Sequence, residues 1–333
     1  MKLINLSLLL LFAISVCSCS NDDLEKYGQD LTLEGFNVDM RNNSFPPYIV
    51  GEELNLSFAA GSSSNGNLKD LQVKTNIAGA SGTLLEKTGI YYNWNLGKDD
   101  TYTVFSEVKQ NENDWLGTYV DTIAATAKFR YVIPNEAKGK KVEIIFNAGC
   151  AGGRATKTFD CQVSNIELKR NIPIVAANED GSGRAFFSLS KMQAFSLSEV
   201  QSQNMYGEID FVFVYDNVGP AASWKLNYAI LAPSCEYMSS KLLGESWGRK
   251  NDTDIEIKNW EDYHLQGSGR MNFVDDLDFQ KAQFVTDTKM CININNDTRA
   301  LVKTENGEWI GLIWFKNVSK TNAFLNVKRY KVK

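Results

Sequence analysis

Two acidic runs, one histidine and several tryptophans in polar surroundings are the residues of this chain that could do chemistry. Asp275-Asp276-Leu277-Asp278 and Asp99-Asp100 are the acidic runs. Glycoside hydrolysis needs two carboxylates about 5 or 6.5–9.5 Å apart. Adjacent acids on a strand point to opposite faces and in a turn face water, so spacing gives no converging pair here. Asp275, Asp276 and Asp278 also offer hard oxygen ligands for a structural Ca2+, although without EF-hand spacing a solvated turn is the simpler reading. His264 is the single histidine, which excludes every site built on two imidazoles and leaves a Ser-His-Asp arrangement at most one base. Within Trp260-Glu261-Asp262-Tyr263-His264 it reads as a half-exposed structural side chain. Neither Gly181-Ser182-Gly183 nor Ala151-Gly152-Gly153 has the form of a phosphate loop. No catalytic residue and no metal ligand is assigned, and no cofactor is expected.

The aromatic residues carry more. Trp94 in Tyr91-Tyr92-Asn93-Trp94, Trp115 between Asn111 and Gly117, and Trp247 between Gly244 and Arg249 stand in polar, loop-like stretches. Flat rings beside amides and carboxylates suit stacking on sugars, peptide side chains or a partner surface. Tyr91, Tyr92, Trp94, Trp115 and Trp247 are therefore the expected ligand-binding residues, with ordinary packing under loops as the alternative for each. Trp309 and Trp314, in the dense apolar run from Trp309 to Phe315, are expected in the core.

The elements that must position these residues are strands. At 333 residues, with 43% hydrophobic and 23% charged side chains, the chain is globular and long enough for two domains. A net charge of −5 argues against the basic face that nucleic-acid binding requires. Period-two alternation marks Glu53 to Phe58, Leu71 to Thr75 and Thr126 to Ile133, the last stopped by Pro134. Lys141–Phe146 and Phe159–Leu168 read as the arms of a hairpin around Gly152-Gly153. These predict an immunoglobulin- or fibronectin-III-like β-sandwich over 45–168. Beyond it, Ala185–Leu189, the apolar run Glu208–Tyr215, Trp224–Leu231, Met290–Ile294, Trp309–Phe315 and Phe324–Val332 predict a second mainly-β domain, sandwich or jelly-roll-like, over 172–333. Leu197–Met205 fits a short helix capped by Ser198; Asp262–His264 and Phe279–Phe284 suit short helices.

The N-terminus speaks to location. Lys2 followed by the apolar stretch Leu8–Val16 reads as an export signal over 1–18, too short to span a bilayer. Val16-Cys17-Ser18-Cys19 resembles the bacterial lipobox, with the small Ser18 favouring Cys19 as the lipidated residue. Residues 19–44 are polar and suit a lipidated tether, and several acyl chains anchor stably without a transmembrane helix. Outside the cytoplasm the remaining cysteines, Cys150, Cys161, Cys235 and Cys291, permit two disulfides of open connectivity. A bridge between Cys150 and Cys161 is disfavoured, because one lies beside the turn and the other well down the return strand. Cys161 shares parity with Phe159 and Val163 and reads as a small buried side chain.

The lipobox with its Asp22-Asp23 tail, Tyr131 to Lys140, Glu208 to Tyr215, and Asn306 to Ile313 together resemble Bacteroidetes two-domain surface lipoproteins found beside starch-utilisation-system-like importers. The resemblance spans most of the mature chain, but its motifs are structural. It implies an outer-membrane, surface-exposed, lipid-anchored accessory to a TonB-dependent barrel and its lid lipoprotein, binding or presenting an oligomeric nutrient, glycan or peptide. The lid lipoproteins themselves are helical-repeat proteins, from which this β-rich chain departs. Two other readings stay open: a surface glycosidase or peptidase using carboxylates, and a structural or fimbrial-type adhesion lipoprotein.

Overall fold

Alternation with period two builds most of this chain, because one face of each strand is buried and the other meets water. The computed structural model describes residues 36–62, 66–93, 95–177, 183–216, 227–238, 243, 247–267, 271–284, 288–319 and 321–332, and only the backbone of 36, 37, 91–93, 216 and 227. The signal segment, Cys19, Trp94, Gly181, Ser182 and Trp224 lie outside the described residues. No helix among them is long and apolar enough to cross a membrane. The chain is mainly β, in antiparallel sheets, and divides into two compact units.

Among the described residues the first unit comprises 36–44, Glu53–Val132 and Val142–Asp160. Its strands are β1 (Phe36–Asn42), β2 (Glu53–Ser62), β3 (Leu68–Thr75), β4 (Leu84–Leu85), β5 (Thr88–Asn93), β6 (Lys98–Thr103), β7 (Phe105–Asn111), β8 (Asp114–Tyr119), β9 (Ala124–Val132), β10 (Lys141–Cys150) and β11 (Gly153–Gln162). They form a four-stranded sheet, β1-β2-β9-β4, a five-stranded sheet, β11-β10-β3-β8-β7, and the ribbon β5-β6. Aromatic side chains meet between the two larger sheets. Phe58 of β2 stacks on Phe146 of β10 at 5.2 Å, and Trp115 of β8 meets Phe129 of β9 edge-on at 5.0 Å.

The second unit gathers Phe45–Glu52, Ile133–Lys141 and Cys161–Lys333. Its strands are β12 (Glu167–Val175), β13 (Phe186–Ser188), β14 (Gln193–Phe195), β15 (Phe211–Asp216), β16 (Asn227–Leu231), β17 (Asp254–Ile257), β18 (Met290–Cys291), β19 (Arg299–Lys303), β20 (Trp309–Lys316) and β21 (Asn322–Lys331). One sheet runs β12-β21-β20-β19-β17 and the other β14-β13-β15-β16-β18. Phe187, Phe211 and Phe213 of one sheet share a core with Ile313, Phe315 and Val327 of the other. The helices Tyr263–Gln266 and Asp276–Lys281 bring Leu265 and Phe279 onto a further cluster with Leu301, Leu312 and Trp314.

Several expectations are corrected. The tether predicted over 19–44 ends in strand β1, whose Val38 is buried, since Phe36-Asn37-Val38-Asp39-Met40 itself alternates. The uninterrupted first domain over 45–168 does not hold as drawn: 45–52 and 133–141 pack with the second unit, and the second hairpin arm stops at Gln162, Leu168 belonging to β12. The helix Leu197–Ser202 is capped by Ser196 rather than Ser198, through a capping box with Glu199. The stretch Asn111–Gly117, read as a loop, forms the turn between β7 and β8 and most of β8. Cys150, Cys161, Cys235 and Cys291 are all buried, and no disulfide joins described residues. Burial pushes the Cys291 thiol up to about 12.

Candidate functional site

Four connections of the second unit meet in a polar cleft of about 200 Å3. The β19–β20 hairpin supplies the first wall. Gly307 takes the left-handed φ of 62° that the turn requires, and Asn306 Oδ1 accepts from the Glu308 N–H at 2.9 Å and the Thr304 hydroxyl at 2.7 Å. This holds Glu305 and Glu308 on the cleft and sets Trp309, half-exposed, at its edge. Arg329, from β21, packs its guanidinium 4.2 Å from the Trp309 ring centre. The same guanidinium donates to Glu167 and to the carbonyls of Leu189 and Ser190, tying Trp309 to the β13–β14 turn. Burial alone would raise the Glu167 carboxyl, but hydrogen bonds from Lys138 and Arg329 outweigh it and hold it below the usual range.

The floor comes from the 3-10 turn Tyr206–Glu208 and the residues leading into β15. Asp210 is 4% exposed; its Oδ2 accepts from the Leu189 N–H at 2.6 Å, and no basic side chain among the described residues pairs with it. Burial pushes its carboxyl up to about 7, the Leu189 N–H opposing and the Glu208 charge adding. Asn251, also 4% exposed, donates from Nδ2 to the carbonyls of Gly207 and Ile209, both at 2.9 Å. Two carbonyl partners fix the amide orientation, and Asn251 Oδ1 is left buried without a hydrogen-bond partner.

The expected ligand-binding residues fall elsewhere. Trp115 is 1% exposed, in the core of the first unit, because β8 alternates and its odd positions face inward. Trp247 is buried against Phe186 and Tyr206, and its Nε1 donates to the Arg249 carbonyl at 2.7 Å. Neither ring is a platform for a ligand, although Trp247 anchors the segment that carries Arg249 and Asn251 into the cleft. Tyr91 and Tyr92 lie on β5, where the backbone alone is described, and Trp94 lies outside the described residues. Trp309, expected in the core, is partly buried against the core cluster and also lines the cleft, while Trp314 is buried as expected. Asp210 was legible only as a lone acid in an apolar run, and nothing local singles out Asn251.

The acidic run serves a helix. Asp275 caps Asp276–Lys281 through a capping box with Asp278, and Asp276 accepts from the Ser164 hydroxyl and the Asn165 N–H. Asp275 and Asp276 border a larger cavity of about 630 Å3 flanked by Pro46, Met271 and Leu277. His264 is half-buried against Phe273, and burial with the nearby Lys328 brings its pKa down to about 4.

The chain belongs to the family described as "Domain of unknown function (DUF8576)", whose model matches residues 164–332. Residues 34–161 match the model described as "Domain of unknown function (DUF4466)". Among solved structures, a DUF4466 family protein from Parabacteroides merdae is similar at 25% identity with a TM-score of 0.75, covering 89% of this chain and 99% of that one. The Salmonella SafD adhesin matches at 10% identity and a TM-score of 0.22, over 39% of this chain and 99% of its own. No curated protein matches.

Proposed function

We propose that this chain is an outer-membrane surface lipoprotein that binds a glycan end in the second unit's cleft and serves a TonB-dependent importer. The cleft is the observation that carries the reading. An indole edge stands beside hydroxyl, amide and carboxylate groups, the combination that holds a sugar by its apolar face and its hydroxyls together. At about 200 Å3 the cleft lies below the roughly 300–1,000 Å3 of drug-sized pockets, which suits one sugar unit at a chain end. The signal and lipobox ending at Cys19 support surface anchoring. The larger cavity beside Met271 has its acids committed to capping and backbone contacts, which leaves fewer groups to orient a ligand.

Two measurements test the proposal. Affinity electrophoresis of the full chain through gels carrying different polysaccharides should show retardation by at least one, abolished in Trp309→Ala. Retardation by none, or retardation untouched by the substitution, removes the cleft from the account. A mild-detergent pull-down of the lipidated protein should recover a TonB-dependent barrel; recovery of the protein alone removes the importer.

A further inference from the structure

We infer that the cleft recognises a sugar carrying a free amine, a hexosamine with its amine unacetylated, and seats the ammonium against Asp210 and Asn251. The inference rests on the glycan-binding reading above and names its ligand class. Three of the four carboxylates around the cleft already have a base. Glu208 pairs with Lys191 at 3.0 Å, Glu305 with Arg249 at 3.0 Å, and Glu308 with Lys331 at 3.0 Å. Asp210 is the most buried of the four and the one without a cation among the described residues. A buried carboxylate with a single N–H donor is costly to ionise, and burial accordingly keeps Asp210 close to half-protonated near neutrality.

Asn251, lining the same cleft, carries a second acceptor short of donors. The Asn251 amide is turned by its two carbonyl partners so that Oδ1 receives nothing. The two side chains together offer acceptor oxygens, one of them on a group able to carry a full negative charge, with the Leu189 N–H on Asp210 Oδ2 as the single donor between them. An ammonium has three donors and no acceptor, plus the charge that Asp210 lacks. A hydroxyl supplies one donor and no charge; an acetylated amine supplies one N–H and a methyl that polar lining does not favour. The remaining lining, Ser190, Thr304, Asn306 and the Trp309 ring, suits a polyol body and offers no apolar recess for a peptide side chain.

The test uses the full chain in mild detergent at pH 7.5 and four probes: the methyl glycosides of glucosamine, glucose and N-acetylglucosamine, and glycylglycine amide. Calorimetry should find the glucosaminide at least about tenfold tighter than the two neutral sugars, the factor expected of a desolvated charge pair. Asp210→Asn, which keeps an acceptor for Leu189, should erase that preference, bringing the glucosaminide to the affinity of the neutral sugars on the same variant. Equal affinities for glucosaminide and glucoside overturn the ammonium assignment and leave the cleft a glycan site. A tighter peptide amide overturns the hexosamine in favour of a peptide N-terminus. Saturable binding of none of the four overturns the inference, and the glycan reading survives only if polysaccharide retardation still depends on Trp309. The comparison of probes on the unmodified chain decides the matter should the variant fail to fold.

Discussion

Asp262 and Asp210 are almost equally withdrawn from water, at 1% and 4% exposure, yet they sit in opposite circumstances. Asp262 accepts from the Leu265 N–H at 2.9 Å, the Val274 N–H at 2.7 Å and the Lys328 ammonium at 2.5 Å. Lys328 in turn reaches the Val274 carbonyl, and the neighbouring Asn326 bridges the Asn171 N–H and the Leu265 carbonyl. Asp262 and Asn326 each have their partners, so the region holds the helix Tyr263–Gln266 and its following loop onto β21. Among the described residues Asp210 has one donor and no base. A buried polar network that is complete gives rigidity, whereas an incomplete one costs stability and marks where a ligand would complete it. The first unit supplies the background: its buried polar side chains among the described residues are the hydroxyls of Ser62, Thr75 and Thr83, with no charge.

The largest expected effect breaks the complete region. Lys328→Met leaves the Asp262 carboxylate buried without its base, and urea unfolding should show a loss of ~3–5 kcal/mol. Adding Asp262→Asn should recover much of it. A loss below ~1 kcal/mol would mean that the pair holds nothing in place and that the contrast is empty.

Asp210→Asn should move stability the other way. The folded pKa of about 7 stands above the ordinary 3.8, so between those values the folded chain keeps a proton that the unfolded chain has lost. Stability from this group is therefore present below about pH 4 and lost as pH rises through 7. The asparagine variant should exceed the parent at pH 8 by on the order of 2–4 kcal/mol and match it near pH 4. A variant weaker than its parent at pH 8 contradicts the cost assigned to the charge.

His264 gives the opposite slope. With its pKa brought down from 6.5 to about 4, the unfolded chain holds the extra proton in that window, and stability rises with pH through it. Between pH 4 and 6.5 the two groups cancel. His264→Gln should unmask Asp210, the parent gaining on the variant by ~1.4 kcal/mol per pH unit across the window. Parallel stability profiles of parent and variant would remove His264 from the balance. Trp309→Ala should change stability least, by on the order of 1–2 kcal/mol for a partly buried side chain packed against the core edge, while removing ligand binding; a loss above ~3 kcal/mol would make Trp309 chiefly a core residue.

Much of the strand content was legible. β2, β3 and β9 alternate plainly, and Pro134 ends the last of them. β8 alternates as well, with Trp115, Gly117 and Tyr119 inward, but polar neighbours at Asn111 to Asp114 masked it because they belong to the tight turn. The site was not legible for a different reason. Trp309 opens an apolar strand, and its place at the cleft edge, with Arg329 packed across its ring, depends on segments distant in sequence. Asp210 and Asn251 come together from segments 41 positions apart, and their significance lies in partners they lack, which no local pattern encodes.

The buried sulfurs give each unit a clock. A thiol reacts as its thiolate, and at neutral pH a group held near 12, as Cys291 is, presents almost none. Alkylation or oxidation therefore waits until the surrounding strands part, and its rate counts those openings rather than the strength of the reagent. Cys150 times the first unit, and Cys235 with Cys291 the second. A ligand that fills the cleft would slow the second clock and leave the first running at its own pace.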